Sequence, residues 1–135
     1  MPPTEMGPLV ACVNSSEDLV QLLAEYLELE GFRAVAHATP IRWGAGPVID
    51  FVSDLRPDAC VYSVGPPYEA SWREFEALRA AVPDVPCVLV TTNLRALRSL
   101  VGPVDGIEVI GMPFDLDEVC RAVRRALDRR SSAAA

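Results

Sequence analysis

Arg56-Pro57-Asp58-Ala59-Cys60-Val61-Tyr62-Ser63 is the stretch that decides the fold. Pro57 cannot continue a helix. Residues 59–62 that follow are an unbroken apolar run with no polar residue at alternate positions. A strand of that kind is buried on both faces, as in a parallel sheet covered by helices on each side. The same pattern recurs outward. Residues 9–13 and 32–36 upstream, and 87–90 and 107–110 downstream, also read as short apolar strands.

Amphipathic stretches separate these runs. Leu19, Leu22, Leu23, Tyr26 and Leu27 have helical spacing and stop at Gly31. Pro47 opens a helix whose apolar face is Val48, Phe51, Val52 and Leu55. Trp72, Phe75, Leu78 and Ala81 form the next face, ended by Pro83, and a short helix spans 94–100. Leu116, Val119, Val123 and Leu127 form the last. Ser15 with Asp18, Ser71 with Glu74, and Asp115 with Glu118 are spaced as capping boxes. Gly65, Pro66 and Pro67 read as a rigid turn. Strand and helix alternate five times, which predicts an α/β, doubly wound parallel sheet with right-handed crossovers. Residues 9–128 form one domain in this reading, with 1–8 a flexible N-terminus and 129–135 a flexible tail.

The chain has 135 residues, of which 50% are hydrophobic, enough for a real core. The formal charge is −7, and all twelve basic residues are Arg. That balance argues against nucleic-acid binding, which depends on cations at phosphates. No apolar run is long enough for a membrane span, and the first residues do not resemble a signal peptide, so a cytoplasmic location is expected. Cys12, Cys60, Cys87 and Cys120 form no CxxC pair and read as buried small hydrophobes in a reducing compartment.

In such sheets the functional crevice lies beyond the carboxyl ends of the strands. That directs attention to Asn14, Ser15, Ser63, Thr91 and Met112. At these residues the chain resembles the receiver domain of two-component response regulators, over nearly its whole length. Residues 56–63, 84–91 (Asp-Val-Pro-Cys-Val-Leu-Val-Thr) and 112–118 (Met-Pro-Phe-Asp-Leu-Asp-Glu) are similar to the family's RPDLVLLD, DIPVIVLT and KPFDLDEL segments. Pro67 falls where the family keeps a proline four residues past its phosphoacceptor. The resemblance implies a flavodoxin-like receiver fold with five strands in order 2-1-3-4-5.

The resemblance also marks what is replaced. The family's two Mg²⁺-holding acidic residues correspond to Asn14 and Ser15, its phosphoacceptor Asp to Ser63, and its Lys to Met112. The aromatic that reports activation corresponds to Val109, and only the hydroxyl after the fourth strand survives, as Thr91. Phosphoryl transfer to a carboxylate needs that nucleophile, a divalent cation and positive charge on the phosphoryl oxygens. Mg²⁺ prefers carboxylate oxygens, so no Mg²⁺ or other cofactor is expected. Ser63 would need a neighbouring base, and His37 reads as a surface or edge residue away from this group. No catalytic residue is assigned. The crevice is either inert or a repurposed pocket in which Asn14, Ser16, Ser63, Thr91 and Thr92 hydrogen-bond a small neutral ligand.

These residues imply an atypical receiver that acts as a phosphorylation-independent protein-interaction module. The alternative is a small-molecule sensor using the altered crevice; an enzyme ranks last, since no nucleophile–base pair supports one. The resemblance points to the fourth helix, fifth strand and fifth helix as the surface for a protein partner or a homodimer. Candidate contacts there are Arg95, Arg98, Arg121 and Arg125. Arg121, Arg124, Arg125, Arg129 and Arg130 also admit the plainer account of complementing the helix macrodipole. Trp43, in the Pro/Gly-rich stretch 39–47, is either an interaction anchor or a ring folded onto the core. The Met112-Pro113 bond is expected to be cis, as at the family's Lys-Pro step.

Overall fold

The structure, a computed structural model, describes residues 7–14, 17–38, 44–101, 107–111 and 115–134, with the side chains of 14, 100, 101 and 130–134 outside that description. The elements alternate as β1 (Leu9–Asn14), α1 (Glu17–Leu29), β2 (Arg33–Ala38), α2 (Gly46–Leu55), β3 (Ala59–Val64), α3 (Tyr68–Ala81), β4 (Cys87–Thr91), α4 (Leu94–Val101), β5 (Glu108–Gly111) and α5 (Leu116–Ala134).

All four strand pairs are parallel, and the sheet order is β2-β1-β3-β4-β5. This is the doubly wound arrangement that the alternation and the family-like segments predict. The apolar strand runs have a physical consequence. Alternate residues of β1, β3 and β4 enter two separate cores, one on each face of the sheet. Val10, Cys12, Val61, Val88 and Val90 join α1 and α5 on one face. Ala11, Val13, Cys60, Tyr62 and Leu89 meet Val48, Phe75 and Leu97 of α2, α3 and α4 on the other.

Local signals set the element ends. Gly31 has φ +95°, and the Phe32 and Gly31 amides bond to the Leu27 and Glu28 carbonyls at 3.0 and 3.2 Å. That double closure is a Schellman motif, and it stops α1 where the glycine predicts. Pro47 sits in the first turn of α2. The Asp58 carboxylate accepts from the Leu9 amide at 2.8 Å, while the Asp58 amide bonds to the Leu9 carbonyl at 2.7 Å. This clasp sets β1 against β3.

Some boundaries differ from the sequence reading. The strands run further towards their carboxyl ends, so Asn14, Ser63 and Thr91 lie within strands instead of just after them. Helix α3 starts at Tyr68 behind Pro67, one turn before the expected Ser71 cap. Ser71 and Glu74 are therefore helix-interior residues facing the core, 1% and 7% exposed. The Asp115/Glu118 box is half formed, with the Glu118 carboxylate accepting from the Asp115 amide at 3.2 Å. Helix α5 continues to Ala134, through the stretch read as a loose tail. Ser15 and the first six residues lie outside the described residues.

Candidate functional site at the carboxyl ends of the strands

The register places the receiver-like positions side by side. Val13 is opposite Tyr62, so the next residues, Asn14 at the end of β1 and Ser63 one residue before the end of β3, lie at one level of neighbouring strands. Ser63 is opposite Val90, and Thr91 is opposite Val64 on one side and Gly111 on the other. Ser15, Ser16, Trp43, Met112 and the Met112-Pro113 bond lie outside the described residues, as does the Asn14 side chain.

Ser63 follows Val61 by two residues, so it points to the α1/α5 side of the sheet. Its Oγ is buried and has no hydrogen-bond partner among the described residues. A buried hydroxyl without a partner is uncommon, because its desolvation goes uncompensated. Thr91 is 1% exposed, and its Oγ1 accepts from the Asn93 amide at 3.3 Å. Asn93 Oδ1 in turn accepts from the Ala96 amide at 3.0 Å and caps α4. The Thr91 hydroxyl is thus built into the start of α4. Next to it, the Tyr68 and Thr92 hydroxyls are hydrogen-bonded at 2.7 Å, tying the start of α3 to the β4–α4 connection.

Behind this rim, the Tyr62 hydroxyl donates to Glu74 Oε1 in the layer between β3 and α3. Burial pushes the Glu74 carboxyl above its ordinary range, with the Tyr62 bond opposing the rise. Burial, followed by the Glu74 contact, raises the Tyr62 phenol. Glu74 Oε2 is buried without a partner among the described residues. Sequence reasoning missed this pair because Glu74 also fits a capping pattern. The available signal was helical: Ser71, Glu74, Phe75 and Leu78 share one face.

His37 is half-buried on β2, and its ring stacks on Phe51 at 4.5 Å and 16°. Burial lowers its pKa. Its register partner is Val13, so it flanks β1 on the side away from β3. All four cysteines are buried thiols. Among the described residues, no group of three His, Cys, Asp or Glu side chains is placed to hold a metal ion. No helix there is long and apolar enough to cross a membrane.

The second candidate surface flanks the β5 edge, with α4 and α5 on opposite faces of the sheet. Its arginines fall into two groups. Arg125 Nε and Arg129 donate to the two carboxylate oxygens of Glu108 at 2.6 and 2.8 Å, and Arg121 pairs with Asp117 at 3.2 Å. Burial opposes ionisation of Glu108, but the two guanidiniums hold its carboxyl below the usual range. Asp117 also accepts from the Tyr26 hydroxyl at 2.8 Å, a bond that pushes the phenol up to about 12. Arg95 and Arg98 are exposed on α4 and make no ion pair among the described residues. Of the four candidate contacts, Arg121 and Arg125 are therefore neutralised within the chain.

No protein-family model matches the chain. Among curated proteins it is 28% identical, over 129 residues, to the C4-dicarboxylate transport transcriptional regulatory protein DctD of Rhizobium meliloti (strain 1021). That match covers 92% of this chain and 26% of the relative, so the chain spans about a quarter of the relative's length. Similar solved structures include a response regulator receiver protein from Sinorhizobium medicae WSM419, with TM-score 0.71 and 18% identity, covering 92% of this chain and 97% of that one. A response regulator receiver domain protein from Clostridium thermocellum has TM-score 0.76 and 11% identity, with 93% and 98% covered. NtrX from Brucella abortus, solved in complex with ATP, has TM-score 0.74 and 19% identity over 96% of this chain and 28% of its own. The fold is that of response-regulator receiver domains.

Proposed function

We propose that the chain is a receiver-type signalling module that works without aspartyl phosphorylation, by docking onto another protein. The observation that carries this reading is Ser63: a neutral hydroxyl, buried and without a partner among the described residues, at the level of the sheet where receiver chemistry requires an in-line carboxylate. Asn14, Ser15 and Met112, at the other matched positions, offer neither a carboxylate to a cation nor a cation to a phosphate. Thr91, the retained hydroxyl, is committed to the α4 cap. No metal, cofactor or catalytic residue enters this reading, and neither nucleic acid nor membrane is a partner.

The docking surface in this reading is α4–β5–α5. Arg95 and Arg98 are its cationic contacts, in a chain whose formal charge is −7. An acidic protein surface, including the α1 face of a second copy with Glu25 and Glu28, complements them. Such pairs govern orientation and association rate more than affinity. The test is to compare sedimentation and partner capture of the wild type with those of Arg95→Glu/Arg98→Glu, at low and high salt. Association that weakens with salt and in the variant supports the reading. Association unchanged by both moves the surface elsewhere.

A second reading is supported by the same Ser63 Oγ, which has no partner among the described residues: a small neutral ligand bound in the crevice would hydrogen-bond to it. A thermal-shift screen of neutral metabolites, repeated on Ser63→Ala, tests it.

A further inference from the structure

We propose that Cys60 and Cys87 form a peroxide-oxidisable thiol pair that closes into an intramolecular disulfide between β3 and β4. The two residues are direct register partners in the parallel ladder. Both enter the core on the α2/α3 face, while Cys12 enters the opposite one and Cys120 sits on α5. Neighbouring strands lie about 4.8 Å apart, inside the Cα separation of about 4.4–6.8 Å that a disulfide spans.

The pair is asymmetric. Cys60 is 0% exposed; Cys87, the first residue of β4, is 5% exposed. The neighbouring Cys87 side chain, together with burial, raises the Cys60 thiol well above its ordinary value. The same contact lowers the Cys87 thiol against burial, and the nearby Arg79 charge adds to the lowering. Cys87 is therefore the nucleophile of the two.

A cleft of about 290 Å³ opens between the carboxyl ends of α2 and α3, lined in part by Val52, Arg56, Pro57, Val82 and Val85. The Val85 carbonyl accepts from Cys87 Sγ at 3.6 Å, so the thiol is bonded to a residue of the cleft wall without lining the cleft itself. A small hydroperoxide entering there needs only local opening of a strand end.

The reaction balances with hydrogen peroxide as oxidant. The Cys87 thiolate attacks one peroxide oxygen; the S–O bond forms, the O–O bond breaks, and the departing hydroxide takes the thiol proton as water. Cys60 sulfur then attacks Cys87 sulfur; the S–S bond forms, the S–O bond breaks, and hydroxide leaves with the Cys60 proton as a second water. Two thiols lose two electrons and the peroxide gains them.

The experiment treats the folded, full-length chain with hydrogen peroxide, then unfolds it in N-ethylmaleimide for intact-mass and peptide mapping. The expected product is a monomer lighter by two hydrogens before alkylation. It links Cys60 to Cys87, keeps Cys12 and Cys120 alkylatable, and returns to four free thiols with dithiothreitol. In Cys60→Ala the expected product is a dimedone-trapped sulfenic acid on Cys87; in Cys87→Ala the loss of thiols disappears. Should Cys87→Ala fail to fold, the wild-type map and Cys60→Ala decide. A bridge that includes Cys12 or Cys120, or four alkylatable thiols after exposure with circular dichroism intact, overturns the proposal.

Discussion

The Tyr62 hydroxyl and the Glu74 carboxylate are hydrogen-bonded inside the layer between β3 and α3, one residue from Ser63. Glu74 has its folded pKa raised by burial, so the folded state holds its proton more tightly than the unfolded chain. Its contribution to stability is complete below the unfolded carboxylate value and is lost as pH climbs through the raised folded value. Denaturant titrations from about pH 4 to about pH 8 should therefore show a decline that Glu74→Gln flattens, because Gln can still accept from Tyr62. Parallel pH profiles for the two proteins would contradict this.

Glu108 behaves in the opposite sense. Arg125 and Arg129 hold its carboxyl low, so its contribution is present above the unfolded carboxylate value and fades as pH falls through the lowered one. The arginines are about half exposed, and solvent screens the pairs. Glu108→Gln is expected to cost about 1 kcal/mol or less at low salt, and less again at high salt. Urea midpoints at two ionic strengths measure it. This clamp is also why Arg125 is a poor site for charge reversal: Glu at 125 would face Glu108.

Gly111 ends β5 against the first turn of α4. A Cβ there would lie 2.7 Å from Leu94 Cβ, closer than packed carbons approach. Gly111→Ala should displace the start of α4 and cost about 1–3 kcal/mol, the range for overpacking. Equilibrium unfolding gives the cost, and amide shifts at residues 93–97 report the displacement. A variant as stable as the wild type with unmoved shifts would show that the approach is not tight in solution.

The layers and strand order were legible because each central strand is apolar on both faces and each helix carries a periodic stripe. What escaped were relationships between elements. Ser71 and Glu74 satisfy a capping pattern and a buried face equally well, and Tyr62 on β3 decides between them. The Glu108 clamp joins residues 17 and 21 apart, beyond any helical or strand period. The pairing of Cys60 with Cys87 depends on the β3–β4 register, which two apolar runs do not encode. Ser63 was singled out by resemblance, but the burial of its Oγ, without a partner among the described residues, is a fact of packing.

In the proposed reading the crevice performs no aspartyl phosphorylation. Incubation of the full chain with acetyl phosphate and Mg²⁺, followed by intact mass under neutral and acidic conditions, tests it most directly. The expected result is an unchanged mass with and without Mg²⁺, and no saturable Mg²⁺-dependent amide shifts at Ser63 or Thr91. A phosphoryl adduct that is stable at neutral pH, Mg²⁺-dependent and lost under acyl-phosphate hydrolysis conditions would contradict it.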